Sequence, residues 1–242
     1  MRLKFNFQRH EADSHEGSRK RLIPPLIPTF ITHLHSDHTI GLADIILTPA
    51  VLDRNAPIRI YGPVGSKKMT DDLMSAYKED IAIRINGLEK GDAIAYQVYT
   101  NEIKEGQIYK DSNLTVTAFN VQHGQWDNAF GFVFQTKDKK IVISGDCTYS
   151  ENLIKYAKDC DILVHEVYSD AGLKKRTQRW QDYHSTFHTS TYQLADIANQ
   201  VKPKLLILNH QLTFGTSLQS LLDELQSKYA GPVVNGADLD VF

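Results

Sequence analysis

Apolar and polar residues change rhythm several times along this chain, and each rhythm predicts an element. The run Thr-Phe-Ile-Thr at 29–32 is β-branched and aromatic, and reads as a short buried strand that ends at His33. Ahead of it, residues 1–22 mix acidic and basic side chains without an apolar period and read as a loose arm. Residues 23–28, Ile-Pro-Pro-Leu-Ile-Pro, cannot be helical, because each proline biases its predecessor toward extended structure. Residues 58–61 read as a strand stopped by Gly62-Pro63, and 66–77 as a helix with Ser66 at its N-cap. Short runs at 95–99, 107–109, 114–121, 130–135 and 140–144 predict strands. No helical period interrupts 95–144, so antiparallel or meandering pairing is expected there. A short helix is expected over 152–158 and a strand over 161–165. Leu194, Ile197 and Ala198 share one face of a helix over 190–200. An apolar strand at 205–208, a helix at 217–229 and a short strand at 233–234 close the chain.

Strands mixed with helices point to layered α/β or α+β architecture. Several expected strands stop at a polar residue of the same chemical kind: His33, His123, Asp146, His165 and His210. Chemistry gathered on the loops after strands is how such scaffolds build a site.

The densest stretch is Thr32-His33-Leu34-His35-Ser36-Asp37-His38, with four metal-ligand side chains in six residues. At a strand end, side chains two apart point the same way, so His33 and His35 can bind one ion together. Asp37 and His38 follow where the chain turns and can reach a second. The spacing therefore favours two ions. Imidazole and carboxylate donors without thiolate suit Zn, Mn or Fe at a hydrolytic centre.

Composition narrows the setting. A formal net charge of −2 over 242 residues gives no global field that would draw the protein onto nucleic acid. The two cysteines, Cys147 and Cys160, cannot make a disulfide framework and are expected to be free, buried thiols in a reducing compartment. No window reaches the ~18 apolar residues of a membrane span. The first 20 residues are charged and lack an apolar core, so no signal peptide is expected and the cytoplasm is the default.

The order H-x-H-x-D-H, a lone His123, Gly145-Asp146 and a late His210 resembles the metallo-β-lactamase superfamily. Thr32 to Leu42 (THLHSDHTIGL), Tyr61-Gly62-Pro63, Ser144-Gly145-Asp146, His165-Glu166, His188-Thr189-Ser190 and Asn209-His210 are similar, in order, to its ribonuclease Z-like branch. The resemblance implies an αββα sandwich of two mixed β-sheets flanked by helices, with a hydrolase domain over 29–242 and an atypical segment over 1–28. It implies that His33, His35 and His123 hold one ion, that Asp37, His38 and His210 hold the second, and that Asp146 bridges them. Zinc is expected, with manganese or iron as alternatives. Two such ions can share a water and lower its pKa. By the same resemblance His188 protonates the leaving oxygen or stabilises charge at the phosphoryl group, Glu166 orients it, and Asp37, beside its role as ligand, hydrogen-bonds the metal-bound water.

Two departures shape the expected substrate. Only 32 residues precede His33, and none reads as the L-I-D-x-G strand with which such chains open, so the start is expected to be shortened or replaced. The long tRNA-gripping arm of the branch falls between the positions of His123 and Asp146, where this chain has no room for it. A small anionic ester, phosphodiester above all, is therefore expected as substrate, with RNA less favoured. Ribonuclease Z-like RNA processing, sulfatase or lactonase chemistry, and a degenerate non-catalytic member are the alternatives. Trp126, Trp180 and Tyr183 are candidates to line a substrate pocket. The segment 168–183 reads as a loop made basic by Lys174, Lys175, Arg176 and Arg179, and His184 is read as having no role. A homodimer is left open.

Overall fold

A computed structural model describes residues 28–238 and 240–242. The loose arm and, Pro28 apart, the proline-rich stretch expected at the start lie outside the described residues. The chain forms two compact units, one reaching Ile103 and including Val241–Phe242, the other Lys104–Asp240.

The first unit carries β1 (Thr29–Phe30), β2 (Ile58–Gly62) and β3 (Val98–Glu102), ordered β1-β2-β3. Among the described residues all three of its strands run parallel. Helical crossovers are the reason, since parallel neighbours need a long connection. Between β1 and β2 lie α1 (Ser36–Thr39) and α2 (Leu42–Val51), and between β2 and β3 lie α3 (Ser66–Ala76) and α4 (Lys78–Asn86). Neither α2 nor α4 was expected: the apolar run and internal Pro49 of α2 hide its period, and α4 buries no residue fully. Ser66 is not the N-cap. Gly65, at φ +100°, takes that position, and the Glu102 carboxylate accepts from the Gly65 and Lys67 amides at 2.8 and 3.2 Å. The strand expected at 95–99 is instead a 3-10 turn (Ala93–Tyr96) followed by β3, because the Asp92 side chain accepts from Ile94 N–H and winds the chain. Ile31, Leu42, Ile46, Ile58 and Ile60 form this unit's core.

The second unit is built on β4 (Gly106–Lys110), β5 (Thr115–His123), β6 (Trp126–Gln135), β7 (Lys140–Ile143), β8 (Ile162–Tyr168), β9 (Leu205–Leu212) and β10 (Val233–Asn235). These lie in the order β10-β9-β8-β7-β6-β5-β4. Pairing is antiparallel from β4 to β7, as the absence of a helical period predicted, and parallel from β7 to β10. Strands β5, β7, β8 and β9 consequently point the same way, and their carboxyl ends meet one edge of the sheet. Helices α5 (Glu151–Ala157), α8 (Thr191–Val201) and α9 (Leu218–Gln226) pack on it through Leu153, Leu194, Ile197, Leu221 and Leu225. Ser190 caps α8 in a full capping box with Gln193. Cys147 and Cys160 are free and buried in this core, as expected.

The 168–183 stretch is not a loop. It forms α6 (Asp170–Leu173) and α7 (Gln178–Phe187), whose mostly polar sequence conceals the helical period. β5 and β6 are joined by Gly124 and Gln125 alone, so no arm emerges there. No helix among the described residues is long and apolar enough to cross a membrane.

Candidate metal centre

Each unit presents its own set of donor side chains. In the first, β1 runs out just before His33, which is fully buried, and the chain turns into α1 carrying Asp37 and His38. The Thr32 hydroxyl lies 3.1 Å from His33 Nδ1, which fixes the ring and turns Nε2 outward. His33 Nε2 then sits 3.1 Å from His35 Nδ1. Two nitrogens that close match one edge of a tetrahedral site, about 3.4 Å for metal–nitrogen bonds of 2.0–2.1 Å. The His38 ring packs on His33 with centroids 4.3 Å apart, and its Nε2 is 3.4 Å from an Asp37 oxygen. Asp37 itself is 65% exposed.

In the second unit the donors come from different strands. His123 is the last residue of β5, and its Nδ1 lies 2.7 Å from the Phe187 carbonyl, which accepts its proton and leaves Nε2 as the nitrogen that could ligate. Gly124 makes this possible. It turns at φ +53°, and a Cβ there would stand 2.1 Å from the Phe187 ring. Asp146 follows β7 after Gly145 at φ +63° and is almost fully buried. His210 lies within β9 and holds φ +44°, a left-handed conformation costly for a non-glycine residue. The strand register explains it: Glu166 pairs with Asn209 and Val167 with Gln211, so His210 is the extra residue of a bulge that re-aims its side chain. His210 Nε2 lies 3.4 Å from Asp146 Oδ2, and Asp146, His188 and His210 offer donor atoms all within 4.8 Å of one another.

His188 ends α7 and is buried beside two carboxylates. Its Nδ1 is 3.3 Å from Glu166 Oε1 and 3.9 Å from Asp146 Oδ2. Glu166 Oε1 also accepts from the Cys147 and Thr189 amides at 3.2 and 3.0 Å. Burial, and then the Asp146 charge, push the Glu166 carboxyl up against those donors. A carboxyl of raised basicity next to an imidazole can hold a proton between the two.

His165, its neighbour in sequence, turns the other way, as alternation along a strand requires. Its Nδ1 donates to the Glu166 carbonyl at 2.6 Å, and burial lowers it to about 4, so it stays neutral and structural. Burial, with Glu166 and Asp146 close by, raises the Cys147 thiol well above its usual value, which removes it as a thiolate donor. Imidazoles and carboxylates thus make up the donor sets, and they fit a divalent ion of the zinc type. Trp126 is partly buried against the core and lines a groove beside the β5–β6 turn, whereas Trp180 and Tyr183 stand exposed on α7. Two supporting groups escaped the sequence: the Thr32 hydroxyl and the Phe187 carbonyl. A backbone carbonyl leaves no residue-type signal at all.

This chain belongs to the β-lactamase superfamily: the family model described as Beta-lactamase superfamily domain matches residues 6–211. It is a hydrolase of that superfamily, whose fold implies bound metal, typically zinc. Ribonuclease Z of Bacillus subtilis is 26% identical over 251 residues, covering 83% of this chain and 75% of the relative. Among solved structures, the metallo-β-lactamase fold protein YhfI of Bacillus subtilis matches with a TM-score of 0.65 at 17% identity, over 88% of this chain and 76% of that one. The short form of human tRNase Z matches with a TM-score of 0.61 at 23% identity, over 90% and 78%. These likenesses establish the mixed α/β metallo-β-lactamase fold.

Proposed function

We propose that this protein is a dinuclear metal-dependent hydrolase of phosphodiester or related ester bonds. In this reading His33, His35 and His123 would hold one ion and Asp37, His38 and His210 the other, with Asp146 shared between them. The observation that carries this reading is the gathering of Asp146, His188 and His210 at one sheet edge with their donor atoms within 4.8 Å. The order of the motifs and membership of the superfamily support it. Bound there, divalent ions would supply an activated water at neutral pH and Lewis-acid stabilisation of the displaced oxygen.

The chain's own part is to hold and deliver a proton. Glu166 Oε1 orients His188 through Nδ1, so Nε2 is the nitrogen that carries a proton to the leaving oxygen. Two buried thiols suit a reducing, cytoplasmic setting. Ribonuclease Z-like action on RNA is the second reading. The curated relative's name favours it more than net charge suggested.

The test is hydrolysis of bis(p-nitrophenyl) phosphate by the purified protein with and without added zinc or manganese, beside His38→Ala. Metal-dependent turnover that His38→Ala abolishes is the expected result. Bound metal without turnover would redirect the search to sulfate and carboxylate esters. Neither metal nor turnover would overturn the enzyme reading.

A further inference from the structure

Helix α7 leads from the surface to His188, and its sequence spaces three rings four residues apart: Trp180, His184 and His188. Such residues share one helix face. Trp180 stacks on His184 with centroids 5.5 Å apart and planes at 24°. His184 tilts over His188 at 5.7 Å and 34°, and His188 stacks on His210 at 5.6 Å and 20°. Four rings therefore form one near-parallel run that ends at the candidate metal centre. Its outer end is open: Trp180 is 48% exposed and Tyr183 39%.

Two cations lie beside the same rings. The Arg179 guanidinium lies 6.0 Å from the Trp180 ring centre and that of Arg176 lies 5.7 Å from Phe214. Phe214 packs in turn on His184 at 4.5 Å. The nearby acids are engaged: Asp170 pairs with Lys174 at 2.6 Å, and Asp182 accepts from Gln178 at 2.7 Å. The second unit's groove of about 700 Å³ beside the β5–β6 turn is the opposite case, lined by Glu105, Asp127 and Glu151. Three carboxylates there repel an anion.

We propose that the exposed face of α7 is a nucleobase-stacking subsite for a nucleotide or single-stranded RNA substrate, with Trp180 as platform and Arg176 and Arg179 on its phosphates. The proposal rests on the hydrolase reading above and names its substrate class. Base–aromatic stacking tolerates any base and is worth about 1–3 kcal/mol per base, and flanking cations bind the backbone. The His184 ring already backs the indole at 24°, and the Arg179 guanidinium lies over it.

Trp180 reports on its own occupancy. The chain has two tryptophans, so Trp126→Phe leaves Trp180 as the sole tryptophan, excited selectively above the tyrosine absorption band. Titration of that variant with hexa-adenylate, without added metal, is expected to quench the emission saturably and less at high salt. An abasic hexamer of equal charge and inorganic phosphate should fail to do so. If Trp126→Phe does not fold, the difference between the unmutated protein and Trp180→Phe supplies the same signal. In metal-loaded protein, Trp180→Ala should lower kcat/KM for diadenylate about 10-fold more than for its abasic analogue, and Trp180→Phe should restore part of the loss. Absent quenching, equal quenching by the abasic chain, or equal losses on both substrates would each overturn the proposal. So would an emission change that tracks protein concentration and sedimentation alone, which would assign the face to a second copy. Failure of the unmutated protein on bis(p-nitrophenyl) phosphate strikes the hydrolase reading instead, and the metal-free titration still decides the subsite.

Discussion

The donors of the two units reach their positions by different routes. His33, His35, Asp37 and His38 are neighbours in sequence, placed by the end of one short strand and a four-residue helix. His123, Asp146 and His210 come from three strands of a larger sheet, and each needs something irregular around it: a glycine turn, a second glycine turn, a bulge with φ +44°. The first set depends on local geometry that few distant substitutions can disturb. The second depends on strand register and close packing, where an added methyl is felt.

Substitutions can break or sharpen that contrast. The largest effect is expected at the buried carboxylate. Asp146→Asn should cost more activity than the ~10–100-fold that follows loss of a supporting partner, and should lower bound metal. Asp37→Asn, on the 65% exposed side chain, should cost less of both. Steady-state rates with elemental analysis make the comparison, and equal losses would break it. Next comes His188→Ala, expected to lower kcat by about 10²–10⁴-fold while metal content holds, since proton transfer is its proposed role. Loss of metal in that variant would make His188 a ligand and enlarge the second set. The smallest effect is expected at Gly124→Ala, where a Cβ meets the Phe187 ring at a left-handed φ. A cost of about 1–3 kcal/mol in urea denaturation follows from strain and overpacking. Activity should fall with it, through the Phe187 carbonyl that holds His123. An unchanged midpoint and rate would show that this support is dispensable.

Much of the candidate site could be read before any fold was known, because H-x-H-x-D-H carries its chemistry within one turn of chain. The strands of 106–143 were legible for a similar reason: alternation follows where one face is covered, and an apolar run where both are, as in the continuously buried 129–134 of β6. Helix α7 was not legible, since its polar residues show little apolar period and its rings read as a loop. His184 was set aside on the same ground, yet at helical spacing it lies between Trp180 and His188.

By itself, the amino-acid sequence determined which residues are of metal-ligand type and most of the strands that carry them. It did so because ligand type and periodicity are local properties. Only the tertiary structure decided that Glu166 faces His188 while His165 turns into the core, that a bulge re-aims His210, and that a backbone carbonyl holds His123. Those outcomes depend on register and packing between segments far apart in the chain, and no local pattern encodes them.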